Sequence, residues 1–310
     1  MKYVVIGGAG FLGSHLIELL LKDGNDTTVF DRPGALYLNE LSKKGANIIL
    51  GNYLDPTDLH KVLSDVETVF HLVSTTVPKS SNEDPIFDIE TNLVGTLRLL
   101  TIAKNAGVKK IIFPSSGGTV YGVPRKIPIN ENHPTDPICS YGIGKLAIEK
   151  YARLFWTLYG IDYCILRISN AYGERQPMNK LQGIIPVIIV SGLLDRDIHI
   201  WGDGTVIRDY IHATDLANAF LKASNHNDEP RIFNIGSGHG ISINELIRLI
   251  EKGIGKPLKI IYNHGQAYDV PINILDISEA KRSLEWYPEI DINEGISRTI
   301  NFFRQQLKGN

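Results

Sequence analysis

The sequence predicts an α/β fold, a doubly wound parallel sheet with helices on both faces and a smaller α/β C-terminal lobe. Short runs rich in β-branched residues alternate with longer segments of helical period through the first half of the chain. A glycine-spaced turn joins the first such run to the first helical segment. The regularity weakens after Arg167, where strand-like and helical stretches mix.

Tyr3–Ile6, Thr27–Asp31, Asn47–Leu50, Thr68–Leu72, Lys110–Pro114 and Asp162–Ile168 read as strands. Phe11–Lys22, Ile86–Asn105 and Ser140–Tyr159 read as helices, the last stopped by Gly160. Beyond them, Ile198–Trp201 and Arg231–Ile235 read as strands, with helices near Asp215–Ala223, Ser242–Gly253 and Asn293–Gln306. The expected division is a first domain over residues 1–170, rejoined by segments from about 206–235, and a second lobe over 171–310.

With 43% apolar and 21% charged residues, the 310-residue chain has the composition of an ordinary folded protein. A net charge of −2 leaves no broad basic field for nucleic acid. The apolar start Tyr3–Ile6 runs into glycines too soon for a signal peptide or a membrane span, so a cytoplasmic protein without membrane contact is expected. Cys139 and Cys164 show no metal spacing and read as free thiols; no metal site is expected.

Gly7, Gly10 and Gly13 recur at three-residue spacing between a strand and a helix. The first permits a tight turn, the second lets the backbone approach a pyrophosphate, and the third lets helix and strand pack closely. The following helix, beginning at Phe11 and Leu12, offers aligned N–H groups and about half a positive charge to a phosphate. Asp31 ends the second strand where a carboxylate can bond both adenosine ribose hydroxyls and repel a 2′-phosphate, which favours NAD over NADP. Arg32 complicates this, because its guanidinium can pair with that phosphate. Asp31 can also be no more than the turn residue before Pro33-Gly34.

Joined to Tyr141-Gly-Ile-Gly-Lys145, the glycine turn makes the chain resemble the extended short-chain dehydrogenase/reductases, with their Rossmann-like cofactor domain, and specifically the UDP-glucose/UDP-galactose 4-epimerase group. Val69–Leu72, Asn92–Thr96, Ser115–Gly122, Trp201–Gly204, Arg208–Asp215 and Asn234–Gly238 carry the resemblance along nearly the whole chain. It implies that Tyr141 transfers the proton and that Lys145 tunes it and bonds the nicotinamide ribose. Four residues apart on a helix, the two face the same way. A phenolate useful near neutrality needs a shift of about 3 pKa units, or ~4 kcal/mol, which an ammonium and an oxidised nicotinamide can supply. The resemblance further implies Asn52 and Tyr53 near the adenine, Leu72, Val73 and Ser74 along the cofactor cleft, and Ser115 at the nicotinamide.

Two positions depart from the family's pattern. Gly117 stands four before Tyr121, where a Ser or Thr is expected to bond the sugar hydroxyl, so Ser116 or Thr119 is the candidate substitute. Gln266 stands where a second pyrophosphate arginine is often found. For the remaining substrate contacts the resemblance points to Asn170 and Arg208 on the pyrophosphate, Trp201 with Ile184 and Pro186 around the base, and Asp269 orienting neighbours or meeting the ribose. Arg208-Asp209 also reads as an ion pair joining the lobes.

The expected function is an NAD-dependent 4-epimerase of a UDP-sugar, glucose/galactose or the N-acetyl forms. A 4,6-dehydratase would need an acidic pair where Gly118-Thr119 stands. A 4-keto reductase or a uronic-acid enzyme shares the Tyr141/Lys145 chemistry, and a silent NAD-responsive regulator is the reading from another class. The long helices over Ile86–Asn105 and Ser140–Tyr159 correspond to the family's dimer-forming pair, so a homodimer is expected.

Overall fold

A computed structural model of the chain describes residues 1–177, 183–264 and 270–309. Six strands lead the chain: β1 (Lys2–Ile6), β2 (Asp26–Asp31), β3 (Asn47–Leu50), β4 (Thr68–His71), β5 (Lys110–Ser116) and β6 (Asp162–Ile168). Among the described residues there follow β7 (Asn170–Tyr172), β8 (Ile198–Trp201), β9 (Ile207–His212), β10 (Ile232–Ile235), β11 (Gly240–Ser242), β12 (Ile260–Asn263) and β13 (Ile272–Asn273).

The main sheet runs β10-β6-β5-β4-β1-β2-β3 with every pairing parallel. Its strands are apolar on both faces because helices cover both. Tyr3 and Val5 point into a core shared with Leu16, Ile17, Leu20, Phe70 and Phe220, while Val4 and Ile6 point into one with Leu99, Leu100 and Ile111. The strand order reverses between β1 and β4, and such sheets bind ligands at the carboxyl ends of the strands that flank this reversal. The fold is the doubly wound one expected.

The smaller lobe is built on β7, β9, β11 and β13 and on the β8–β12 pair, over a core of Ile188, Ile189, Tyr210, Leu246, Ile250 and Phe303. The helix expected over Ile86–Asn105 is instead three pieces: Pro85–Asp88, a wider π-helical turn Ile89–Val94, and Gly95–Ala106. Hydroxyls in the turn and just after it compete for the backbone, with Thr91 donating to the Phe87 carbonyl (2.6 Å) and Thr96 to that of Asn92 (2.6 Å). Such bulges gather at functional sites, and this one brings Asp88 and Asn92 into contact.

Candidate active site

Gly7 leaves β1 at φ +81° and donates its N–H to the Phe30 carbonyl (2.8 Å), turning the chain within one residue. A Cβ at residue 13 would stand 2.5 Å from the Gly7 carbonyl oxygen and 2.6 Å from the Gly8 Cα, so the Phe11–Lys22 helix rests directly on the turn. Gly10, the residue before this helix, has no side chain to cap it, which leaves the first N–H groups, those of Phe11 and Leu12 among them, open to an anion. These features fit a dinucleotide.

Asp31 ends β2 with its carboxylate on the same loop, accepting from the Ala9 N–H (3.0 Å) and its neighbour Arg32 N–H (2.8 Å). Burial raises its pKa, and the two backbone donors pull it back. The Arg32 side chain is exposed. Asn52 spends its side-chain oxygen on the Leu54 N–H (3.0 Å), while Tyr53 is buried beside His71, its hydroxyl without a hydrogen-bond partner among the described residues.

Leu72, Val73 and Ser74 follow β4 and join the glycine turn to the helix opposite. Leu72 donates to the Ile6 carbonyl (2.8 Å), and Val73 N lies 3.2 Å from where a Cβ on Gly7 would be. The Ser74 side chain faces the Tyr141 phenol and donates to the Thr76 carbonyl (3.1 Å). Three consecutive residues thus span from the cofactor loop to the phenol.

Tyr141 and Lys145 lie on the Ser140–Tyr159 helix with the Lys145 ammonium 5.4 Å from the phenol ring centre and 4.5 Å from that of Phe113. Burial pushes the phenol up to about 12; Ser74 opposes this, while Cys139 and Asp88 reinforce it. Burial pushes the ammonium down to about 8, against the pull of the Asp88 and Glu149 carboxylates. Lys145 also donates to the Pro114 carbonyl (2.9 Å), which fixes its reach.

Behind them runs a buried polar chain. Ser115 donates to Glu149, which holds Arg167 in a two-point pair (2.7 and 3.1 Å), and Arg167 donates to the Tyr121 hydroxyl (3.0 Å). Ser115 is only 4% exposed, so its hydroxyl is committed to this network rather than to the cleft.

Gly117 follows β5, donating to the Ile168 carbonyl (2.8 Å) and accepting from the Asn273 side chain (3.1 Å). The Leu275 side chain fills the space a Cβ would need, which is the physical reason for glycine where a hydroxyl residue was expected. Ser116 and Thr119 begin and end the turn, the Thr119 N–H donating to the Ser116 carbonyl (3.3 Å). The Thr119 hydroxyl is buried and has no hydrogen-bond partner among the described residues, and the residue's carbonyl packs against Gly142, next to Tyr141.

In the smaller lobe, Asn170 donates to the Asp209 carbonyl (3.0 Å), and Arg208 donates to the Ile207 and Val270 carbonyls (3.0 and 2.6 Å). Asp209 is fully buried and is satisfied by Ser237, Gly238 and Leu275 donors, so it serves as a loop anchor. Trp201 ends β8 with 56% of its surface exposed, and Ile184 opens the Ile184–Leu193 helix with Pro186 buried in its first turn. Gln266 and Asp269 lie outside the described residues.

The sequence reading passed over Asp88, Ser81 and Asn82. The Ser140–Tyr159 helix lacks a side-chain cap of its own at Cys139; Asn82 accepts from the Ser140 N–H (2.9 Å) and Ser81 from the Tyr141 N–H (3.0 Å). Asp88 accepts from the Ser140 hydroxyl (2.8 Å). A helix whose N-cap position holds cysteine, a poor capping residue, was the available signal that caps come from elsewhere.

Known proteins resemble the chain over its whole length. The family model described as the NAD dependent epimerase/dehydratase family matches residues 3–236. A UDP-glucose 4-epimerase of Mycolicibacterium smegmatis is 34% identical over 99% of each chain. The crystal structure of a UDP-glucose 4-epimerase from Thermotoga maritima, with UDP-glucose, superposes with a TM-score of 0.94 at 34% identity, covering 99% of this chain and 100% of the other. A UDP-N-acetylglucosamine 4-epimerase from Methanobrevibacter ruminantium, in complex with UDP-N-acetylmuramic acid, has a TM-score of 0.90 at 30% identity over 98% of each chain.

Proposed function

The chain belongs to the NAD-dependent epimerase/dehydratase family, and on that premise we propose that it inverts carbon 4 of a UDP-sugar through a transient 4-keto intermediate. The observation that carries this reading is the three-residue span Leu72–Ser74, which sets the glycine turn of the cofactor loop beside the phenol of Tyr141. NAD⁺, held by the glycine turn and Asp31, would supply a hydride acceptor that gives the hydride back, so that inversion needs no outside redox partner.

Tyr141 takes the proton of the sugar 4-hydroxyl. Its raised pKa makes it a poor base until positive charge gathers near it, so deprotonation is tied to the loaded site. Lys145, largely charged at neutral pH, is the protein's own contribution to that charge. The buried, unpartnered Thr119 hydroxyl supports it, ahead of Ser116, as the donor that steadies the sugar oxygen in place of the side chain missing at Gly117. Asp31 holds the adenosine ribose, as its placement against the loop supports. Gly7, Gly10 and Gly13 with Phe11 and Leu12 cradle the pyrophosphate, and Leu72, Val73 and Ser74 line the cleft.

The nucleotide falls to the smaller lobe, with Arg208 and Asn170 at the pyrophosphate and exposed Trp201, with Ile184, against the uracil. Strong grip on the nucleotide leaves the 4-keto sugar free to turn over. Residues 1–170, with segments from about 206–235 returning to them, form the cofactor domain, and 171–310 mainly the substrate lobe. A homodimer is supported by an apolar stripe left exposed on the Ser140–Tyr159 helix at Ile143, Tyr151, Leu154 and Leu158, beside Ile89 and Val94. No helix among the described residues is long and apolar enough to cross a membrane, and two unpaired cysteines suit a reducing cytoplasm.

The test is incubation of the purified protein with UDP-glucose, UDP-galactose and their N-acetyl analogues, followed by NMR. Interconversion at carbon 4 without added reductant is expected and should vanish in Y141F; a 4-keto-6-deoxy product or no turnover on any of the four would sink the proposal.

A further inference from the structure

Asp88 is a carboxylate with only 2% of its surface exposed, and no part of the cofactor or nucleotide reading uses it. It lies where the Pro85–Asp88 helix runs into the wide turn Ile89–Val94. One oxygen accepts from the Thr76 hydroxyl and from the Asn92 amide (2.9 Å); the other accepts from the Ser140 hydroxyl (2.8 Å). Asn92 in turn accepts the Thr75 N–H (3.0 Å) and donates to the Thr76 hydroxyl (3.0 Å). The carboxylate therefore ties together the loop after β4, the wide turn, and the first residue of the helix that carries Tyr141 and Lys145.

We propose that Asp88 is a positioning residue for the reaction, its buried charge seating the start of the Ser140–Tyr159 helix and setting the electrostatic balance in which the Tyr141–Lys145 pair exchanges its proton. This rests on the roles given to Tyr141 and Lys145 above. The cost of burying a carboxylate next to a proton-transfer site needs a return, and an uncharged amide of the same shape could hold the same three hydroxyl and amide partners. What the amide cannot supply is the negative charge.

The groups facing this charge are few. Tyr141 and the Cys139 thiol are both disfavoured as anions by Asp88, whereas the Lys145 ammonium is favoured by it. Lys145 also meets His71 from β4 and Glu149 from its own helix, the latter already neutralised by Arg167 from β6. The His71 imidazole is held neutral, pushed down to about 3 by its burial and then by Lys145. Asp88 is thus the carboxylate near Lys145, among those facing it, whose charge no cation offsets in a direct pair. Its two effects have one sign on the pH scale: it holds up the proton on the phenol and the proton on the lysine.

The experiment is D88N, compared with S140A, which keeps the charge and removes only the Ser140 anchor. Lys145 is followed by NMR of protein labelled at lysine Cε, its signal identified by its loss in K145M. In D88N the Lys145 midpoint should fall by about half a pH unit to one unit, and both limbs of the kcat profile on UDP-glucose should move to lower pH together. S140A should lower kcat several-fold with both limbs unmoved. An unchanged Lys145 midpoint and an unmoved profile in D88N would overturn the electrostatic role, and wild-type kcat in S140A would overturn the seating role. If the wild type turns over no UDP-sugar, the function proposed above fails, while the Lys145 titration still decides the role of Asp88. Should D88N not fold, D88E, with the charge kept and displaced, takes its place: a Lys145 midpoint shifted from wild type supports the role, and an identical one overturns it.

Discussion

Leu275 packs against the bare Cα of Gly117 so closely that a Cβ there would stand 2.5 Å from its Cδ1 and 3.2 Å from the Arg167 carbonyl oxygen. Both residues are buried, so a side chain at 117 cannot be absorbed by a swing into solvent. G117S, which restores the hydroxyl residue of the family pattern, should therefore destabilise the protein by about 1–3 kcal/mol and leave kcat no higher. Adding L275A should recover part of the loss from overpacking. Denaturant unfolding of the single and double variants checks this; a stable, faster G117S would show that the glycine is not there for packing.

Thr119 carries the hydroxyl assigned to the sugar. Valine is its near-isostere and removes a buried group that lacks a partner in the described structure, so T119V should be as stable as the wild type or gain up to about 1 kcal/mol. Its kcat should fall roughly 10- to 100-fold, the worth of one hydrogen bond in a dry site. S116A measured alongside should fall less. The reverse ranking would transfer the role to Ser116.

Asp31 is expected to select against the 2′-phosphate by charge. D31N can still accept the Ala9 N–H, so the loop survives while the charge goes. The ratio of NAD to NADP affinity should drop about 10-fold or more, read by calorimetric titration of both dinucleotides. With Arg32 beside it and exposed, the gain in NADP affinity should be larger in D31N than in the D31N/R32A double variant.

Lys145 is held against its solvation preference. Its pKa falls from 10.5 when unfolded to about 8 when folded, so the unfolded chain binds the proton more tightly and stability declines as pH drops from about 10.5 to 8. Below pH 8 the full penalty is present; above 10.5 it is gone. K145M should therefore abolish turnover yet raise stability at pH 7 by on the order of 1–3 kcal/mol, reduced by loss of the bond to the Pro114 carbonyl. Thermal unfolding at pH 7 and at the highest pH the protein tolerates checks the sign. The gain should shrink at the higher pH.

How much of this was legible in the sequence follows from the range of the interactions. The glycine turn, Asp31 and the Tyr141–Lys145 spacing are local patterns in which each residue reports its own backbone or helix face, and they could be placed without a structure. The parallel sheet was legible for the same reason, since strands buried on both faces read as apolar runs. Asp88 was not, because its meaning lies in Ser140, 52 residues away, and in a wide turn that interrupts what reads as an unbroken helix. Gly117 was seen as a departure, but its cause, Leu275, comes from the far end of the chain. The resemblance implies Ser115 at the nicotinamide, but its bond to Glu149, which pairs with Arg167 behind the strand, joins residues too far apart in the chain to be read from a local pattern.

The edge strand β10 is supplied by residues 232–235, after the chain has laid down β7, β8 and β9 of the other lobe. During synthesis, β1 to β6 can assemble as they leave the ribosome, but β6 keeps an unpaired parallel edge until about sixty more residues have followed. An unpaired edge of this kind invites strands from other chains. A fragment ending near residue 170 would then be a template for aggregation rather than a free-standing cofactor module, and Arg167 would lose the Asn234 end of the chain of bonds that runs through Tyr121. The two lobes are interleaved in time as well as in space, so release of a competent cofactor site must wait for nearly half of the second lobe to be made.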